Sequence, residues 1–266
     1  MPRSIWSGSL SFGLVNIPVK MVGAVKDKEV RFHLLHDKDG ARVKNLRVCS
    51  KDGKELEWDD IVKGYEVSKD EHVVLTDDEL EAFAAEATKR IDILDFVDLS
   101  EIDPAFFDSP YFLVPDQASA KSYGLLHEAL EKSKKVGIAK MVMRGKAYLV
   151  AVRPKHELLV CETMRYAEEL VPPAEALGDV KIPSKVTDKR EMAIAQQLID
   201  TLAAPFEPEK YKNEYREKVL ELIDKKSSGG TIVAAPSPKA APRTTDLLNA
   251  LQKSLEAAKK RIDVKA

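Results

Sequence analysis

At 266 residues, with 44% apolar and 32% charged side chains, the chain has the composition of a globular protein that can bury one large core or two small ones. A formal net charge of -2 speaks against a protein that holds polyanions by bulk basicity, so any such affinity has to come from charges segregated along the chain. The two cysteines, Cys49 and Cys161, fit neither a disulfide framework nor a metal site. With no bilayer-length apolar run and no N-terminal apolar run ahead of a small-residue cleavage site, the chain reads as soluble, unexported and cytoplasmic.

In chain order, residues 4 to 24 read as strands. Ile5, Leu10, Phe12, Leu14, Ile17 and Val19 give a largely alternating apolar pattern, with Gly8 and Gly13 marking bends or bulges. A further strand is expected over 30–36. Residues 42–50 continue in extended style, with basic and apolar residues alternating, and Asp52-Gly53 predicts a tight turn. A strand over 72–75 leads into Thr76 and Glu79, a capping box that opens a short helix to about residue 87. Residues 91–99 alternate again, 110–115 form a short strand bounded by prolines, and 119–134 read as an amphipathic helix. Three apolar runs between 136 and 163, separated by Arg144-Gly145-Lys146 and Pro154-Lys155-His156, predict a three-stranded meander.

Beyond Arg165 the pattern turns helical. Asp188 and Glu191 give a second capping signal, and Ile194, Leu198, Ile199 and Leu202 share one apolar face. Residues 207–225 are expected as a second helix, with Tyr211, Tyr215, Val219 and Leu222 on a stripe. Residues 226–243, rich in Ser, Gly, Ala and Pro, read as a flexible linker. Residues 244–261 are helical by period, with Leu247, Leu248, Leu251, Leu255 and Ile262 on one face and Lys253, Lys259, Lys260 and Arg261 supplying charge. A short helix behind a linker is marginal alone and reads as a docking element.

The charges are strongly segregated. Between Asp70 and Asp116 the only basic residues are Lys89 and Arg90, whereas cations collect in 42–54, 132–155 and the tail. Catalytic signatures are absent: the sequence has no phosphate-binding GxxxxGK[ST] loop, no GxGxxG, no HExxH and no GxSxG elbow. His33 and His36 would point to opposite faces of a strand, so they do not make a metal pair. No cofactor or metal is expected, and the chain does not read as an enzyme. Were the chain to meet DNA, a lysine could in principle form a Schiff base with an abasic sugar, a minor reading beside the absence of catalytic signatures.

The opening string, Arg3 to Lys20 (RSIWSGSLSFGLVNIPVK), resembles that of the bacterial Ku family, the end-binding proteins of non-homologous end joining. Further segments match the same family in order and spacing. They are VKGYE at 62–66, DSPYFLVP at 108–115, YGLLHEAL at 123–130 leading into VGIAK at 136–140, ETMRYAEE at 162–169 and DLLNALQKSL at 246–255. The fold this resemblance implies is mixed and β-rich. A β-barrel core carrying a DNA-encircling bridge would span 1–186, a helical dimerisation arm 187–225, a flexible linker 226–243, and a basic amphipathic C-terminal helix 244–266.

It also implies a homodimeric, nucleoid-associated ring that threads onto double-stranded DNA ends without reading sequence. The tail helix would recruit the dedicated bacterial ATP-dependent end-joining ligase. Charge and placement select Arg31, Arg42, Lys44, Arg47, Lys51, Lys54, Lys140, Arg144 and Lys146 as candidates for DNA contact. Each is otherwise an ordinary solvated cation. The arm's expected dimer anchors are Ile194, Leu198, Leu202, Tyr211, Tyr215, Val219 and Leu222. For DNA or ligase contact by the tail, the candidates are Leu247, Leu251, Lys253, Leu255, Lys259, Lys260 and Arg261. Two alternatives carry different expectations. A barrel for single-stranded nucleic acid would want aromatics interleaved with its cations, whereas aromatics are only 6% of the chain and Trp58 stands among Glu57, Asp59 and Asp60. An interaction scaffold without nucleic acid would leave the segregated basic strands unexplained.

Overall fold

A computed structural model of the chain describes residues 3–84, 89–183, 188–229 and 247–263. They fall into two compact units: Met1–Lys28 with His33–Ala176, and Glu29–Phe32 with Leu177–Ala266.

The first unit is built on a closed seven-stranded barrel in the order β1-β2-β6-β9-β8-β7-β5. Its opening hairpin pairs β1 (Ser4–Phe12) with β2 (Val15–Gly23), so that Leu10 faces Ile17 and Gly8 faces Val19. Gly13 sits at φ +57° in the connecting turn, a conformation that costs glycine little. Leu14 is fully exposed in that turn, so the alternating pattern stops at Phe12 and resumes at Val15. Gly8 makes a close approach instead of a bulge. A Cβ there would lie 2.1 Å from the Lys89 carbonyl oxygen and 2.4 Å from the Trp6 ring, while the register irregularity lies between Ser4 and Trp6.

Between β2 and β5 (Arg90–Asp98) runs a long excursion that contains the two-stranded sheet of β3 (Lys63–Ser68) and β4 (Glu71–Leu75), followed by α1 (Asp77–Ala84). The Thr76 and Glu79 capping box is present: the Glu79 side chain accepts from the Thr76 N–H at 2.9 Å, and the Thr76 hydroxyl accepts from the Glu79 N–H at 3.2 Å. The expected extension of α1 to residue 87 lies outside the described residues. Next come β6 (Phe107–Pro115), α2 (Ala120–Ser133), and the meander of β7 (Lys135–Met143), β8 (Lys146–Lys155) and β9 (Leu158–Met164). The barrel closes where β1 pairs with β5 in parallel, at Ser9–Arg90 through Ser11–Asp92. Every other barrel pairing is antiparallel.

Alternation assigns the two faces of the meander. Ala139, Met141, Met143, Val150, Val152, Leu159 and Cys161 fill the interior with Leu10, Ile17, Met21, Ile91 and Leu113. Val136, Ala151 and Met164 face outward under Ile102, Phe106 and Phe107. Burial on both faces is why these strands read as nearly continuous apolar runs. Helix α2 contributes Tyr123, Leu126 and Leu130 to the core. The Tyr123 hydroxyl donates to the Leu113 carbonyl at 2.7 Å and accepts from the Leu159 N–H at 2.5 Å, bridging facing residues of β6 and β9. Trp6 packs on the core and donates its indole N–H to the Val142 carbonyl at 3.1 Å. Cys161 is a buried thiol whose pKa burial pushes far up, with the Glu162 carboxylate adding to the shift; it is chemically inert.

Helix α3 (Pro173–Leu177) ends in the second unit, which also holds α4 (Lys189–Leu202), α5 (Glu214–Ser227) and α6 (Leu247–Asp263). Asp188 caps α4, its carboxylate accepting from the N–H groups of Arg190 and Glu191. Helix α6 packs directly against α4.

Two expected elements differ. Residues 30–36 do not form a strand; the pairing there is a single bridge between Leu35 and Arg42. Leu34 is exposed, so the apolar alternation in this stretch is real but faces no core within its unit. The helix expected from 207 is also broken. Pro208–Lys210 make one 3-10 turn, the chain extends at Tyr211, and Asn213 then caps α5 by accepting from the Arg216 N–H at 2.9 Å. Asparagine's pull on nearby backbone restarts the helix where periodicity alone would run it through. Tyr211 therefore lies outside any helix, stacked on Phe206 with ring centroids 5.7 Å apart. The expected linker 226–243 is α-helical up to Ser227, and from 230 on lies outside the described residues.

Candidate nucleic-acid interface

The excursion between β2 and β5 holds two narrow turns of backbone. In the first, the Val43 N–H donates to Leu34 and the His36 N–H to Ala41, with Asp39 fixing the tip. The Asp39 carboxylate accepts from the Ala41 N–H and lies 2.8 Å from His36 Nδ1, and these contacts hold its pKa below the ordinary carboxylate value. In the second, the Leu56 N–H donates to Arg47 and the Cys49 N–H to Lys54, both at 2.8 Å, and Gly53 takes φ +69° in the turn.

These ribbons carry Arg42, Lys44, Arg47, Lys51 and Lys54, all exposed. Asp52 is the one acid between Arg42 and Lys54; it makes an exposed 3.4 Å ion pair with Lys54. The Lys54 N–H, and after it Cys49, lowers the Asp52 pKa. The guanidinium of Arg47 lies 3.6 Å above the centroid of the Trp58 ring. Trp58 is 67% exposed, so its ring serves as a shelf for Arg47 instead of filling a core.

Three more candidates lie on the β7–β8 hairpin. Lys140 is exposed on the outward face of β7, opposite Asp92 of β5 in the register. Arg144, at φ +54°, and Gly145, at φ +74°, form the turn, a geometry matched to hairpin twist, and Lys146 follows it. Both cations are exposed at the tip. Arg31 belongs to the other unit, where it is exposed and already carries an interaction.

In the second unit, Ile194 and Leu198 are half-buried on α4, whereas Leu202 is exposed at its end. Tyr211 and Tyr215 are exposed, Val219 is half-buried and Leu222 is exposed. On α6, Leu255 is buried, Leu251 half-buried, and Leu247, Lys253, Lys259 and Lys260 exposed. The side chain of Arg261 lies outside the described residues.

Sequence reasoning did not single out two arginines that the barrel consumes. Arg153 makes a bidentate, partly buried pair with Glu162 at 2.8 and 2.9 Å, which raises its pKa. Arg165 donates to the Phe107 carbonyl at 2.6 Å and to Asp108 at 3.0 Å, pinning the start of β6. Asp108 also accepts from the hydroxyls of Ser109 and Thr163. No local pattern announces these pairs, because their partners come from other strands. Arg165 and Asp108 line a shallow cleft of about 320 Å³ with Lys146, Tyr148 and Tyr166. Among the described residues, no three His, Cys, Asp or Glu side chains converge on a metal site. No described helix is long and apolar enough to cross a membrane.

A barrel with this excursion has a counterpart among known families: the Ku family, described as the Ku70/Ku80 beta-barrel domain, matches residues 11–197. The chain belongs to the Ku family. It is 49% identical to the non-homologous end joining protein Ku of Anaeromyxobacter sp. (strain K), over 99% of this chain and 88% of that protein. It is 41% identical to the protein of that name from Archaeoglobus fulgidus, over 97% and 100%, and 42% identical to that of Bacillus subtilis, over 96% and 82%. The resemblance read from the opening string and internal motifs is thus established, as is the mixed, β-rich Ku barrel. The matching motifs ETMRYAEE and DSPYFLVP are the ones that supply Glu162, Arg165 and Asp108, the polar pins of the barrel wall.

Proposed function

We propose that this Ku-family chain binds double-stranded DNA ends in non-homologous end joining as a homodimer, two copies closing a ring that duplex enters only at a terminus. The observation that carries the reading is the composition of the 33–75 excursion, which exposes five cations between positions 42 and 54 together with large apolar side chains. Leu34, Leu46, Trp58, Val62 and Tyr65 are each more than 60% exposed. Apolar surface on that scale marks an interaction site, and a ribbon of long cations suits a phosphate backbone that is held without base reading. A second copy covers the apolar side chains; DNA meets the cations.

In this reading Arg42, Lys44, Arg47, Lys51 and Lys54, with Lys140, Arg144 and Lys146, contact phosphates, and Arg31 of the second unit is a separate phosphate contact. Leu202, Tyr211, Tyr215 and Leu222 of the arm add to the dimer contact. The tail helix recruits the end-joining ligase, and the protein acts in the cytoplasm at the nucleoid, without catalysis of its own. Trp58, roofed by Arg47, is a poor platform for an unpaired base, which disfavours a single-strand binder.

Competition between linear duplex and covalently closed circles of equal length and sequence tests the ring. Linear DNA is expected to displace a labelled linear probe while circles do not; equal displacement by circles removes the threading claim. Affinity is expected to fall on the order of a thousandfold from low to moderately high salt, if roughly 6 to 10 phosphates are neutralised.

A further inference from the structure

The tail helix has two faces, and only one of them is open. Leu248, Leu251, Leu255 and Ala258 recur at spacings of three, four and three, the period of a helix-pair seam. The first two are half-buried and the last two buried, Leu255 at 9% and Ala258 at 6% exposure. On α4, Ile194, Leu198 and Thr201 are half-buried at the matching spacing, and α6 is the element that packs against α4. Lys253, Lys259 and Lys260 stand off this seam and are exposed. The docked tail therefore shows its cations and turns Leu248, Leu251 and Leu255 inward, while Leu247 at its start stays exposed.

We propose that α4 is a resting site for the tail, so that α6 is latched and a partner that takes its leucine stripe has to displace it from α4. The inference rests on the ligase reading of the tail given above and adds a gate to it. A helix that meets its partner by laying one apolar stripe into a groove has a single stripe to offer. Leu251 and Leu255 cannot serve α4 and the ligase at once. Contacts made by Lys253, Lys259 and Lys260 with DNA carry no such conflict, because those side chains are open in the latched form. Once released, a helix of 17 residues is marginal in water, so it frays and refolds on its partner. If about one tail in ten is free at any moment, latching weakens the apparent ligase affinity about tenfold.

The test uses the full-length protein and purified end-joining ligase, with hydrogen exchange of the α6 amides and ligase binding both measured. Leu198→Ser loosens the seam and Thr201→Lys places a charge in it, both from the α4 side, so the tail's own stripe is left intact. Both are expected to remove α6 protection and to raise apparent ligase affinity about tenfold, whereas Leu255→Ser removes protection and loses ligase binding. Thr201→Lys, in the last turn of α4, keeps the test valid if Leu198→Ser unsettles the helix itself. Free exchange of α6 in the unmodified protein overturns the latch, as does loss of protection in both variants with ligase affinity unchanged or weaker. Ligase binding that is identical in all four proteins shows instead that the tail is not the ligase contact, and the gate falls with that reading.

Discussion

Replacing Tyr123 with Phe removes one oxygen from the barrel and leaves two buried backbone groups without it. The hydroxyl sits between Leu113 on β6 and Leu159 on β9, donating to one carbonyl at 2.7 Å and accepting from one N–H at 2.5 Å. These two residues face each other in the ladder, so the phenol stands in for hydrogen bonding that the strands do not complete between themselves. An orphaned buried polar group costs about 1–3 kcal/mol, and partial closure of the strands offsets some of this, so Tyr123→Phe is expected to cost about 2–4 kcal/mol. For a unit of this size that lowers the melting temperature by roughly 5–15 °C. Burial also raises the phenol pKa, against a smaller lowering by the Leu159 N–H. A raised folded pKa means that the contribution is intact below the unfolded value of about 10 and is lost as pH rises through the folded one. Above pH 10 the wild type should therefore lose up to about 1.4 kcal/mol per pH unit through this group, a component absent from Tyr123→Phe. Thermal and urea unfolding between pH 7 and 11 measure both effects. A melting temperature within 2 °C of wild type at pH 7, or parallel alkaline limbs, would refute the bridging role.

Gly8→Ala drives a methyl into the Lys89 carbonyl and the Trp6 ring, and is expected to cost about 3 kcal/mol, the top of the usual overpacking range. It should also erase the near-ultraviolet signal of Trp6; a native spectrum and melting point would mean that the hairpin yields more easily than its geometry indicates. For Arg47 and Trp58 the charge and the shelf are separable. Arg47→Ala should reduce the slope of log affinity against log salt by about 0.9. Trp58→Ala should leave that slope alone and weaken DNA binding about two- to fivefold, the value of an exposed cation–π contact. An unchanged affinity for Trp58→Ala would show that Arg47 does not need its shelf.

What the sequence discloses depends on how local the cause is. The opening hairpin, the meander and the Thr76 and Asp188 caps are readable because each is decided by residues within a few positions of one another. The parallel β1–β5 seam that closes the barrel is not readable, since no pattern in either strand names its neighbour. The same holds for α4 and α6, whose stripes announce that each needs a partner and leave open which. Residues 30–36 misled for a related reason: alternation marks a face to be covered, and here Phe32, Leu34 and Leu35 stay exposed. The candidate cations were chosen by charge and position, a criterion that cannot tell them from Arg153 and Arg165, which are spent on Glu162 and Asp108.

The acidic run from 70 to 116 has a structural cause that also explains how a chain of net charge -2 can present a basic ribbon. Four of its carboxylates are acceptors for short turns and helix starts. Glu79 closes the cap of α1, Glu101 accepts from the Asp98 N–H, Asp103 from the Ala105 N–H, and Asp116 from both the N–H and the hydroxyl of Ser119 ahead of α2. The Ser119 contacts hold Asp116 ionised to lower pH than an ordinary aspartate, and those of Thr76 do the same for Glu79. A carboxylate tied to backbone stays where its turn is. The cations of 42–54 sit on ribbons whose geometry is set by Asp39, Asp52 and Gly53, and only Asp52 among them faces a lysine. At physiological salt a phosphate senses charge within about 8 Å, so the net charge of the molecule is the wrong quantity for judging its affinity for DNA. The deciding quantity is which side chains the fold has already committed.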